Sequence, residues 1–230
     1  MSLSNRLPIK RILAGVTGIA IAAVAVAVVN GATDSGAAPT YADLSASAPQ
    51  VGEPAPAFSA VDTRGASHSL EAYRGRWVVL EWLNHDCPYT KKHYNSADGR
   101  PGNTQAMQRD YAKRVVWLSV VSSAPGKQGF TTAAEADELT QEKGAAPTAV
   151  IRDTTGMLGR RYGARNTPQY AIVDPQGVLR YAGAIDDKPS SKVKDIAGAT
   201  NYVRAALDAG LAGKPIAVTQ TQPYGCDVKY

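Results

Sequence analysis

Cys87 and Cys226 are the two cysteines of this 230-residue chain, and the first stands where a thiol gains reactivity. It falls in the run VVLEWLNHDCPYTKK: an apolar strand, then Cys87-Pro88, then a basic, helix-prone stretch. At the start of a helix, free backbone N–H groups and the helix dipole stabilise a thiolate and lower its pKa. Lys91 and Lys92, with His85 and His93 near them in sequence, add to that field. The chemistry on offer is nucleophilic attack on a peroxide O–O bond or a disulfide sulfur. Cys226, in Tyr224-Gly225-Cys226-Asp227, has three readings: a resolving thiol on a mobile tail, one half of a permanent bridge, or a spare thiol. A Cys87–Cys226 bridge would close a loop of about 140 residues, worth up to about 5 kcal/mol on the chain-entropy model.

Other candidate chemistry is weaker. His85, Cys87 and His93 fall within nine residues, but His85 reads as a loop residue and His93 as a helix-surface residue. No metal is assigned. Asp186-Asp187 in GAIDDKPSSK reads as a solvated loop. Ser122-Ser123 has no base or helix set to make a hydrolase or phosphate site.

The elements that must hold Cys87 follow from periodicity. Residues 57–62 and 66–70 read as a short hairpin, followed by a turn at 72–75. Residues 77–83 are a near-continuous apolar run interrupted by Glu81, as suits a strand buried on both faces. A helix starts near Pro88, since proline is welcome in the first turn, and stops before a loop at 97–102. A second helix covers 104–113 and a second central strand 115–121. Residues 131–143 are helical, capped by Thr132 and ended by Gly144. A short strand at 149–151 and a short helix at 156–162 follow. Strands at 170–173 and 178–181 flank the turn Asp174-Pro175-Gln176-Gly177, and a last helix covers 200–212. The order βαβαβαββα demands an α/β fold in three layers, a mixed central sheet with helices on both faces.

Residues 1–32 are a separate object: Arg6, Lys10 and Arg11 precede an uncharged apolar run at 12–29, with no acidic residue before Asp34. This reads as a signal peptide or an N-terminal membrane anchor, and either puts the rest of the chain outside the cytoplasm, in a periplasmic or similar space. Residues 33–52 are small and polar, a flexible linker. Residues 53–230 form one domain with a cysteine-containing tail. The formal charge is +5, three of it in the export segment, and no basic cluster carries interleaved aromatics. Nucleic acid is therefore not an expected partner.

EWLNHDCPYTKK resembles the thioredoxin-fold run in which Trp-Cys-Pro-Pro-Cys opens a helix. Cys87 takes the first cysteine position and Pro88 follows, while Thr90 stands at the second. Asp86-Cys87-Pro88 also resembles the Val-Cys-Pro around the peroxidatic cysteine of peroxiredoxins, with Asn84 where that family has Thr or Ser. The stretch from Val51 to Gly183, opening VGEPAPAFSAVDTRGASHSLEAYRGRWVVLEW, is similar to redoxins of the alkyl hydroperoxide reductase and thiol-specific antioxidant type.

The resemblance implies a thioredoxin-like fold in which Thr167-Pro168 is a cis pair facing the thiol. The backbone of Thr167 would then be free for an extended substrate. It implies an exported antioxidant thiol oxidoreductase with Cys87 as nucleophile and Cys226 as resolving thiol. Pro88, Tyr89, Thr90, Thr167 and Pro168 would border the substrate. An external thiol or thioredoxin-like reductant resets the pair, and no organic cofactor is needed. Two alternatives stand beside this: protein-thiol exchange using Cys87 alone, and a non-catalytic binding module locked by a structural Cys87–Cys226 disulfide.

Overall fold

A computed structural model describes residues 48–95 and 102–230. The expected export segment, most of the linker and most of the 97–102 loop lie outside the described residues. Among the described residues, no helix is long and apolar enough to cross a membrane.

The frame is a five-stranded sheet. Strands β3 (Trp77–Trp82), β4 (Val115–Val121) and β5 (Ala149–Arg152) run parallel, while β7 (Gln169–Val173) and β8 (Leu179–Gly183) join antiparallel, in the order β5-β4-β3-β7-β8. The hairpin β1 (Ser59–Val61) and β2 (Ser67–Ser69) is shorter than its apolar pattern suggests. Residues 71–73 beyond it form one 3₁₀ turn.

Side-chain alternation splits β3 between two cores. Val78, Leu80 and Trp82 face Phe58, Leu70 and Leu158, the last from α4 (Met157–Arg161). Val79 points the other way, into Met107 and Tyr111 of α2 (Asn103–Tyr111) and Val203, Ala206 and Leu207 of α5 (Tyr202–Leu211). The remaining helices are α1 (Pro88–Tyr94) and α3 (Ala133–Glu142). Thr132 caps α3 through a reciprocal capping box with Glu135, the arrangement that satisfies two orphan helix donors at once.

Two short strands were not visible in the pattern. β6 (Asn166–Thr167) pairs antiparallel with β9 (Cys226–Asp227). The chain beyond α5 first runs along β8, where the backbones of Ala182 and Thr221 hydrogen-bond at 3.1 Å. It then crosses α1 and ends with Val228 N–H donating to Arg165 and Ala124 N–H donating to Lys229. The expectation of a mobile tail is therefore corrected. Two-residue pairings leave no periodic trace, so only the fold itself reveals the docking.

Candidate active site

The strand-to-helix corner that carries Cys87 is built by Asn84. Its side chain accepts the Asp86 N–H at 2.9 Å and its carbonyl accepts the Cys87 N–H at 3.0 Å, closing a tight turn. Asn84 thus shapes the backbone where a hydroxyl residue stands in peroxiredoxins. Cys87 is the N-cap of α1, with Pro88 at the first helical position and the Lys91 N–H donating to the Cys87 carbonyl at 2.9 Å.

The Cys87 side chain is buried. Its Sγ lies 3.1 Å from the Thr167 carbonyl and accepts the Cys226 N–H at 3.4 Å. Both thiols are free. The Thr167–Pro168 peptide bond is cis, as the resemblance implied. Burial alone would push the Cys87 thiol up. Hydrogen bonds from the Cys226 side chain, the backbone N–H groups of Thr90 and Cys226, and the Thr167 side chain outweigh it and hold Cys87 below its ordinary value. Cys226 moves oppositely, up to about 11, through burial and then its contact with Cys87. The pair is therefore polarised, the Cys87 thiol shifted down and the Cys226 thiol up.

The structure brings Cys87, Cys226, Thr167 and Pro168 into one place. Pro88 is exposed beside them, and Thr90 is buried, its hydroxyl without a hydrogen-bond partner among the described residues. Tyr89 packs edge-on against Tyr224, ring centroids 5.9 Å apart. Gly225 makes the close approach feasible: its φ is +124°, and a Cβ there would lie 2.1 Å from the Thr167 carbonyl oxygen. Any other residue would force β9 away from β6.

Of the expected electrostatic helpers, Lys92, His85 and His93 do not act as the sequence suggested. His93 is fully buried, not on the helix surface, because α1 packs that side under the tail. Burial holds its pKa at about 4, and His85 likewise at about 4, so both are neutral at pH 7. Lys92 is buried against Asp186, Nζ to Oδ2 3.1 Å, so its charge is spent there. Asp186 is correspondingly buried rather than part of a solvated loop. Asp187 keeps partial exposure.

Glu81, read as an interruption in an apolar strand, is a fully buried carboxylate. It accepts from Trp117 Nε1 at 2.7 Å, Tyr94 Oη at 2.9 Å, Tyr170 Oη at 3.1 Å and Ser119 Oγ at 3.2 Å. Burial still leaves its pKa raised. An acidic residue inside a strand buried on both faces was the sequence signal for this network. Behind the Asn84 turn a cavity of about 190 Å³ is lined by Leu83, His85, Tyr94, Phe130 and Leu139, among others. Cys87 does not border it.

Comparison with known proteins gives this geometry a lineage. A model of the AhpC/TSA family matches residues 51–182. The chain belongs to the AhpC/TSA family. No curated protein matches. Among solved structures, an uncharacterized conserved protein from Geobacillus kaustophilus is 24% identical over 79% of this chain and 92% of its own, with a TM-score of 0.63. A hypothetical protein from Sinorhizobium meliloti 1021 is 21% identical over 80% of this chain and 96% of its own, at 0.64. These two likenesses carry the thioredoxin-like fold. Family membership adds that the domain is of the redoxin type.

Proposed function

We propose that this chain is an exported thiol oxidoreductase in which Cys87 is the nucleophile and Cys226 the resolving thiol. The observation that carries the reading is the polarised pair itself: Cys226 N–H on Cys87 Sγ at 3.4 Å, both thiols free, and their pKa values driven apart. Export rests on the basic and apolar N-terminal run.

With a hydroperoxide, the Cys87 thiolate attacks the terminal oxygen. An S–O bond forms, the O–O bond breaks, and the alkoxide leaves, taking a proton from solvent to become the alcohol. Cys226 sulfur then attacks the sulfenic acid sulfur. The S–S bond forms, the S–O bond breaks, and hydroxide leaves as water with the proton that Cys226 held. An external dithiol reduces the bridge and is itself oxidised. With a disulfide substrate, Cys87 first forms a mixed disulfide and expels one thiolate, and Cys226 expels the second. Thr167 and Pro168 border the thiol in both cases.

A second reading, the structural tether, is favoured by the number of bonds that hold the tail. Tyr230 Oη donates to the Ala164 carbonyl at 2.7 Å and its ring packs under Arg160 at 4.3 Å. The experiment that decides between them is intact mass with thiol trapping on reduced protein given one equivalent of hydrogen peroxide. Rapid loss of both thiols with a two-hydrogen mass decrease supports the cycle. Survival of both thiols, or a bridge that resists mild reductant beforehand, sinks it.

A further inference from the structure

Two residues before Cys226, the tail enters a buried polar cluster that the thiol chemistry leaves unused. Lys92 Nζ and the Asp186 carboxylate form its charged floor, at 3.1 and 3.4 Å, with the Lys188 carbonyl accepting from Nζ at 2.7 Å. The Tyr224 hydroxyl drops into this floor. It donates to Asp186 Oδ1 and accepts from Lys92 Nζ at 3.3 Å. His93 Nε2 lies 3.1 Å from the same oxygen, while Asn103 Nδ2 lies 3.3 Å from Nδ1. A neutral imidazole protonated at Nε2 satisfies both contacts, donating to the phenol and accepting from the amide. The Tyr224 ring is also held, by Lys92 Nζ at 5.4 Å from its centroid and by Tyr89.

A buried lysine–carboxylate pair is a costly feature unless its hydrogen-bonding capacity is filled. Here the filling group comes from the tail. Lys92 and His93 are consecutive on α1, whose N-cap is Cys87. Two members of the cluster and the thiol are thus mounted on one short helix. Tyr224 reaches the first while Cys226 reaches the second, and Gly225 between them lets the chain pass against Thr167.

We propose that Tyr224 is a positioning residue: its hydroxyl, keyed into the Lys92–Asp186–His93 cluster, fixes the tail so that Cys226 is held against Cys87. The proposal rests on the resolving role given to Cys226 above, and it names the anchor which that role requires.

The test uses the full chain with Tyr224→Phe, which removes one oxygen and keeps the ring against Tyr89. Two readouts are taken. The first is the equilibrium constant of the Cys87–Cys226 bridge against glutathione, which reports how closely the thiols are held. The second is the iodoacetamide rate of Cys87 in a Cys226→Ser background, which reports tail closure whether or not a bridge ever forms. Tyr224→Phe is expected to lower the first about tenfold and raise the second about tenfold, the size of a lost charge-assisted hydrogen bond. The urea midpoint of the Cys226→Ser protein, with and without Tyr224→Phe, separates local release from global destabilisation. Unchanged bridge equilibrium and alkylation, or changes that only follow the midpoint, overturn the proposal. If the parent chain forms no bridge, the resolving cycle fails, and the alkylation rate alone then decides whether Tyr224 holds the tail.

Discussion

The two cysteines sit in contrasting settings. Cys87 is buried at a strand-to-helix corner formed by consecutive residues, and its thiol is pushed down. Cys226 is half-buried in a two-residue strand that reached its place from far along the chain, and its thiol is pushed up to about 11. The contact between them helps lower the first and adds to the burial that raises the second. The lesson is that nucleophile and resolver differ here by environment: the same side chain is made acidic by receiving hydrogen bonds and basic by giving one up beside a negative neighbour.

The sharpest break of that contrast is Cys87→Ser. It should abolish peroxide- and disulfide-driven oxidation altogether, leaving Cys226 as a slow ordinary thiol; single-turnover oxidation followed by mass is the measurement. Next in size, Cys226→Ser should leave Cys87 attack intact but stop bridge formation. A dimedone-trapped sulfenic acid should accumulate and steady-state turnover fall by about tenfold or more. Turnover equal to that of the parent would mean that Cys226 is not the resolver.

Gly225→Ala tests the approach of the two strands. The added methyl collides with the Thr167 carbonyl and strains a positive φ, so we expect a loss of about 1–3 kcal/mol in urea unfolding. Bridge formation should slow in parallel.

The pH dependence sharpens the comparison further. A thiol whose folded pKa is lowered contributes stability above its unfolded value and loses it as pH falls through the folded one. A raised thiol contributes below its unfolded value and loses it as pH rises through the folded one. Cys226 should therefore cost stability as pH climbs from 9.0 toward about 11, and Cys226→Ala should flatten that stretch of the denaturation profile. The same variant removes a donor to Cys87, so the pH midpoint of Cys87 alkylation should move upward. The smallest effect is remote: Thr132→Ala should cost about 1 kcal/mol through the lost cap of α3 and leave Cys87 alkylation unchanged.

The contrast also explains what could be read in advance. Strand β3, the Pro88 start of α1, the Thr132 cap and the Asp174–Gly177 turn are local, and each is written in neighbouring residues whose chemistry has one structural outcome. The Thr167–Pro168 pair opposite Cys87 was legible only through family resemblance. The cluster beneath Tyr224 was not legible at all. Lys92, His93 and Asp186 carry polar side chains, and polar residues in a helix and a loop are read as solvated by default. Their burial depends on a tail segment whose contacts lie 131 or more positions away in sequence for His93 and Lys92. Glu81 lies between these cases: its oddity in an apolar strand was plain, while the donors that hold it come from β4, β7, α1 and α2.

That separation in sequence bears on how the molecule comes together. Cys87 and Cys226 are 139 positions apart, and joining them costs the closure entropy of the intervening chain before any contact repays it. The corner that places Cys87 at the start of α1 needs only the neighbours of β3 and α1. A folding molecule therefore holds that thiol without its partner, and without the Cys226 hydrogen bonds that lower its pKa, for as long as that loop stays open. The order of assembly, and not only the finished geometry, becomes part of this chain's redox chemistry.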